Sequence, residues 1–369
     1  MVSNRGSGVA TAWDALTGGH RAGEEFTPDG SDTAFFAAPI PDTYHAHAEI
    51  PRNLAHFLDR GSLIAFDAAL QAIAAAGIGA GAGDSRRFAV CDGLPYRAHG
   101  QPTLFVPYGH AVARGLGVRG PVVVVGGNEA SGLTAIAAGV RLIASNQADL
   151  VVAGASQALQ LPLLEHFRAQ GFSGREAARP LDVNHAGCVP AEGAAYLVLE
   201  AAQHASERGA AVIASVAGIG ETFDSTTEPL ATSDGTEAGR AMQAALGDAG
   251  YLQNQVDLHI SCADGRPALD YAEGFGAMRT FGRHAYYAGV TTPASALGST
   301  FAASGPIAVA LALESMQRQS VFPIAGFEAP EQGVDLAYVK EARPEKVDCV
   351  LVTSLGLGGT NVGMLLTRA

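Results

Sequence analysis

At 369 residues the chain can bury a large core, and two fused subdomains suit that length better than one sheet. Lys and Arg number 23 against 36 Asp and Glu, and the net charge of -13 argues against nucleic acid or an anionic membrane as the main partner. Hydrophobic residues make up 48% and charged residues only 16%, so another subunit is expected to cover part of the surface.

The four cysteines, Cys91, Cys188, Cys262 and Cys349, have no metal-ligand spacing and read as buried reduced thiols. The sequence opens with no signal-peptide pattern, and no apolar run reaches the roughly 20 residues that span a bilayer. A soluble, cytoplasmic protein is the expectation.

Met1 to Gly23 is rich in Gly and Ser, with a short helical pattern from Ala10 to Leu16. Thr27 to Asn53 carries Pro28, Pro39, Pro41 and Pro51 and reads as an extended surface segment. His45 and His47 lie in it without a third ligand nearby, so they read as surface residues and no metal site is expected. Phe57 to Gly77 reads as a helix, with Leu63, Ile64, Phe66, Ala69, Leu70 and Ile73 at helical spacing. Arg87 to Cys91 is a short strand, and Tyr108 to Leu116 is a helix in an otherwise irregular stretch.

Gly120 to Gly154 organises the rest. Pro121 to Val125 is a run of four valines behind a proline, expected to be a strand buried on both faces. Gly126 and Gly127 allow a sharp turn with Glu129 at its apex; Ala130 to Ser145 reads as a helix and Asp149 to Ala153 as a second apolar strand. Backbone N–H groups at such a strand–turn–helix junction can stabilise a thiolate or an oxyanion, yet Glu129 is no ordinary nucleophile.

Downstream, Ser156 to Gly171 is a loop and helix, Ala195 to Glu200 a strand, and Gln203 to Gly209 a helical connection. A second unit follows, with strands Val212 to Gly220, Val256 to Ser261, Asp348 to Thr353 and Asn361 to Thr367. Its helices are Thr236 to Ala249, Leu269 to Phe281 and Ser304 to Gln319. The alternation runs twice, with a seam near Ala201 to Ala211. Two halves, 1–205 and 206–369, are expected to pack face to face as a five-layered αβαβα body.

Four blocks carry a resemblance to β-ketoacyl synthases of the thiolase superfamily: GGNEASG (Gly126 to Gly132), RPLDVNHAGCVPAEG (Arg179 to Gly193), LGSTFAASG (Leu297 to Gly305) and SLGLGGTN (Ser354 to Asn361). The resemblance covers the chain from about Ala12 to its end. It implies the thiolase-like fold, with Glu129 where an active synthase has cysteine and Ser299 where its second catalytic histidine belongs. In the run HISCADGRPALDYAE, His259 to Glu273, anchoring on Asp270 and Glu273 places Cys262 at the first histidine, and a slip of two residues places Asp264 there. All three catalytic groups are then replaced.

A synthase needs a thiolate for the acyl chain and two imidazoles for the enolate and oxyanion. A chain without them resembles the inactive β subunit, or chain length factor, of a type II polyketide synthase. That implies an active ketosynthase as partner, an acyl carrier protein delivering the chain, and a tunnel along the interface. Asn128, Glu129, Ala130, Cys188 and Leu357 are the expected tunnel or interface residues, with Leu357 replacing the family's aromatic gate. No cofactor is expected, because the Gly356 to Gly359 run lacks the Lys and Ser/Thr of a phosphate loop.

Two departures from the family pattern stand out. Its first strand is missing before Ser3 to Val9, and the stretch between Cys91 and Gly120 is shorter than usual. The alternatives are a divergent acyltransferase using Glu129 or a cysteine (Cys188 or Cys262), and a homodimeric acyl-binding protein.

Overall fold

The computed structural model describes residues 1–41, 44, 58–79, 84–96, 108–225 and 234–369. His45, His47 and much of the short stretch after Cys91 fall outside these residues. The chain begins with the two-residue strands β1 (Val2–Ser3) and β2 (Gly6–Ser7), then α1 (Val9–Thr17), β3 (Glu24–Phe26) and β4 (Phe35–Ala37). There follow α2 (Arg60–Ala75), β5 (Phe88–Gly93), α3 (Tyr108–Leu116), β6 (Val122–Val125), α4 (Ser131–Ala144), β7 (Leu150–Gln157), α5 (Leu161–Ala169) and β8 (Gly193–Glu200).

The second series is α6 (Ala202–Glu207), β9 (Ala214–Phe223), α7 (Thr236–Ala249), β10 (Leu258–Ile260), α8 (Pro267–Phe281), β11 (Gly289–Thr291), α9 (Ala294–Leu297) and α10 (Ser304–Arg318). It closes with β12 (Ser320–Val321), β13 (Ala337–Tyr338), β14 (Arg343–Pro344), β15 (Cys349–Leu355) and β16 (Thr360–Arg368).

Two six-stranded sheets result, in the orders β2-β1-β8-β7-β5-β6 and β13-β11-β10-β15-β16-β9. The internal repeat is visible in the pairing. β1-β8-β7-β5-β6 and β9-β16-β15-β10-β11 share one pattern, two antiparallel pairs followed by two parallel ones. So the strand expected to be missing exists: β1, only two residues long, stands where β9 stands in the other sheet. Two residues carry too little periodicity to be read from sequence.

Between the sheets lie α4 and α10, with α2 and α3 on one outer face and α7 and α8 on the other. These five layers bury Ala- and Val-rich strands on both sides, as parallel sheets require. The approach of α4 to α10 needs glycine: a Cβ on Gly132 would lie 2.2 Å from the Ala302 carbonyl oxygen.

The segment read as surface is partly core. Phe35, Ala37, Ala38 and Ile40 are buried, and β4 pairs with β3. The buried Glu192 carboxylate explains this, accepting bonds from Ile40 N (3.0 Å), Leu159 N (3.1 Å) and the Arg60 guanidinium (2.6 Å). Conversely, β6, expected to be buried on both faces, is an edge strand with each valine half-exposed. Among the described residues no helix is long and apolar enough to cross a membrane.

Candidate functional site

The junction after β6 is sharper than its sequence suggests. Asn128 takes φ 55°, a left-handed conformation that asparagine tolerates better than most residues, and so it is the apex of the turn. Glu129 follows on a single 3-10 turn, Asn128–Ala130, and the α-helix proper begins at Ser131. The other half repeats the device: Phe301 at φ 48° opens the 3-10 turn Phe301–Ala303 ahead of α10.

Glu129 is buried and both of its carboxylate oxygens accept hydrogen bonds. Arg266 Nη1 donates to Oε1 at 2.7 Å, the Leu357 amide to Oε2 at 2.9 Å, and the Tyr96 hydroxyl to Oε2 at 3.1 Å. Its backbone carbonyl accepts from Ser354 Oγ at 3.0 Å. Arg266 caps α8, where Pro267 at the first helical position suits the fixed φ of proline. Its guanidinium also grips Asp264, with Nε to Oδ1 at 3.0 Å and Nη2 to Oδ2 at 2.9 Å, and Ser299 Oγ donates to Asp264 Oδ2 at 2.7 Å. Burial opposes a charge on Arg266, but Asp264 and then Glu129 outweigh it and hold the guanidinium protonated.

Thus two of the expected site residues, Glu129 and Ser299, are joined through Asp264 and Arg266. Cys262 lines the same narrow crevice as Asp264 but turns its Sγ to Glu273 Oε2 at 3.5 Å. It is Asp264 that meets Ser299. Neither Arg266 nor Tyr96 was expected here.

An aromatic cluster closes over the ions. Tyr96 packs edge-on against Phe167 and Phe301 with centroids 5.6 Å away in both cases, and the Phe167 and Phe301 rings are 4.8 Å apart. Leu357 and Cys188 belong to this cluster and Ala130 is buried beside the elbow, while Asn128 is half-exposed. Burial, reinforced by Asp264 for Cys188 and by Glu273 for Cys262, pushes both thiols well above the usual range. Neither is poised as a nucleophile.

Chemically the arrangement is closed. The Leu357 N–H, a donor that could steady an oxyanion at this junction, is committed to a carboxylate. The cation beside it is shared between two carboxylates, and Ser299 gives its proton to one of them. Among the described residues no group of three or more His, Cys, Asp or Glu is arranged to hold a metal ion.

Around this core, buried carboxylates stitch the loops. Asp270 accepts bonds from the amides of Leu181, Asp264 and Gly265, but burial and then Asp264 push it up to about 8. For Glu273 burial is outweighed by bonds from His259, Thr353 and Cys262, so it lies below the usual range. The folded chain keeps the Asp270 proton to higher pH than the unfolded chain, whose Asp titrates near about 4. The stability it contributes is complete below about 4 and is lost as pH rises through about 8. Glu273 works oppositely, its contribution being lost as acid protonates it. Asp270→Asn is expected to flatten the decline between about pH 4 and 8; urea unfolding of both chains across that range checks it.

Comparison with known proteins places this geometry. A β-ketoacyl synthase from Burkholderia phymatum STM815 superposes with a TM-score of 0.90 at 26% identity, covering 100% of this chain and 97% of that one. The ishigamide ketosynthase/chain length factor superposes with a TM-score of 0.89 at 22% identity, with the same coverage. The architecture is the thiolase-like ketosynthase fold. Family models for the β-ketoacyl synthase N-terminal domain and C-terminal domain match residues 3–205 and 213–328. The chain belongs to the β-ketoacyl synthase family.

A putative polyketide beta-ketoacyl synthase 1 from Streptomyces cyaneus is 30% identical over 100% of this chain and 96% of its own length. A 3-oxoacyl-[acyl-carrier-protein] synthase 2 from Coxiella burnetii is 31% identical over 68% of this chain, and that match spans 63% of the Coxiella protein.

Proposed function

We propose that this chain is the non-catalytic β subunit, or chain length factor, of a type II polyketide synthase. It pairs with an active ketosynthase and shapes the tunnel that receives an acyl carrier protein-bound chain. One observation carries the reading: the carboxylate of Glu129, the residue that the resemblance sets at the nucleophile's position, takes both the Leu357 amide and the Arg266 guanidinium. A carboxylate so held has three of its roughly four acceptor sites occupied, and its charge opposes the charge that condensation develops. The likeness to polyketide synthase relatives and to a ketosynthase/chain length factor pair supports the class of pathway and partner.

The partner would meet β6. Among the described residues this strand pairs with β5 alone, and its other edge is a template for a strand of another chain. Val123 and Val125 turn to the central core and Val122 to the outer one, while Val124 is half-exposed on the face of Val122. Co-expression with a ketosynthase that retains its catalytic cysteine and histidines is expected to yield a stable 1:1 complex. Val124→Lys is expected to weaken it at least tenfold, or about 1.4 kcal/mol, with the melting temperature of the isolated chain little changed. Sedimentation velocity on the two pairs checks this; a homodimer indifferent to the ketosynthase would sink the proposal.

A further inference from the structure

The edge strand β6 reads Val122-Val123-Val124-Val125, four identical side chains in a row. Register between paired strands is ordinarily specified by which side chains meet. Here a partner strand displaced by two residues along β6 would still meet valine on the same face. Side-chain identity along β6 therefore does not distinguish those two registers.

The ladder with β5 holds β6 on one side, from Val90↔Val122 to Gly93↔Val125, and a further anchor lies just beyond it. Gly127 is wedged against the turn after β15, where a Cβ on Gly356 would lie 2.2 Å from the Gly127 carbonyl oxygen. Two residues on, Glu129 is held from four sides, and three of the donors, Arg266, Ser354 and Leu357, come from the other half of the molecule. Behind Arg266 stand Asp264 and Ser299, all within hydrogen-bonding distance in sequence. Burying three charges costs several kcal/mol each before compensation, and apolar residues of similar volume often stabilise a fold as well or better. A buried ionic chain is best attested as a device that selects one arrangement among similar ones.

We propose that the Glu129–Arg266–Asp264–Ser299 chain is the register lock of the β6 edge, fixing which pairing the tetravaline strand makes with the ketosynthase. These residues are positioning residues that act through the strand they anchor. The inference rests on the proposed pairing through β6.

The test uses disulfide trapping in the co-expressed complex. Val124→Cys in this chain is combined with single cysteines placed along the edge strand of the ketosynthase. With the lock intact, one partner position is expected to cross-link. With Glu129→Gln, Asp264→Asn and Arg266→Met together, which neutralise the chain at similar volume, a second position offset by two residues is expected at comparable yield. The single variant Glu129→Gln, which keeps the bonds from Leu357 and Tyr96, serves if the triple variant does not fold, and at least a tenth of the cross-link is expected at the offset position. A complex whose variants still cross-link at one position alone overturns the lock. Absence of any cross-link with the lock intact counts against the pairing through β6 instead.

Discussion

Arg266→Met is expected to lower the unfolding free energy by about 3–5 kcal/mol. The guanidinium is buried, and without it the carboxylates of Glu129 and Asp264 face each other with no cation between them. Removing one member of a buried ionic set leaves the others desolvated and unpaired, and that is where the cost arises. Loss of the side chain's stacking near the Phe167 ring, 5.8 Å away, adds a smaller term. Urea denaturation measures the effect. The triple replacement Glu129→Gln, Asp264→Asn, Arg266→Met is expected to be within about 2 kcal/mol of the parent, since the charges leave together. A single variant as stable as the parent would mean that water reaches the cluster.

Glu129→Cys is expected to restore a thiol to the elbow without restoring condensation. The new sulfur would lie beside Arg266 and the Leu357 amide, surroundings that favour a thiolate. Decarboxylation and carbon–carbon bond formation also need donors for the enolate, and the groups in place are Ser299, already donating to Asp264, and Asp264 itself, a carboxylate that opposes negative charge. Groups that act as a unit do not return activity one at a time. Elongation by this variant is expected to stay at least ~10³-fold below that of an intact synthase. A coupled malonyl-consumption assay on the purified variant checks it, and a rate within tenfold of the intact enzyme would assign the chemistry to residues outside this cluster.

Much of the fold was legible because long amphipathic or apolar segments announce their period. Tyr108–Leu116 and Thr236–Ala249 are found at the bounds their residues suggest, the latter closed by Gly250 in the left-handed conformation. β1, β11 and the β3–β4 pair were not, because strands of two or three residues have no period to read. β6 misled for a different reason. Four valines look alike whether a strand is covered by its own sheet or waits at an edge for another chain, and only the strand order separates the two.

The site divided in the same way. Glu129 and Ser299 were marked by what the surrounding blocks ought to contain. Arg266 was not, since it lies 137 residues from Glu129 and its role exists only after the halves pack. A signal was nonetheless present. A carboxylate in an apolar elbow requires a cation if it is to be buried, and Arg266 stands at a helix start between Asp264 and Pro267 in an otherwise weakly charged chain.

In the proposed role this chain makes no bonds and lends half of a cavity to a neighbour that does. Intact-mass spectrometry of the purified chain, after incubation with acyl-loaded and malonyl-loaded carrier proteins, tests it most directly. An unmodified mass of this chain and no elongated carrier protein are expected, with product appearing only when the ketosynthase is added. A covalent acyl adduct on this chain, or elongation in the absence of any partner, would contradict it.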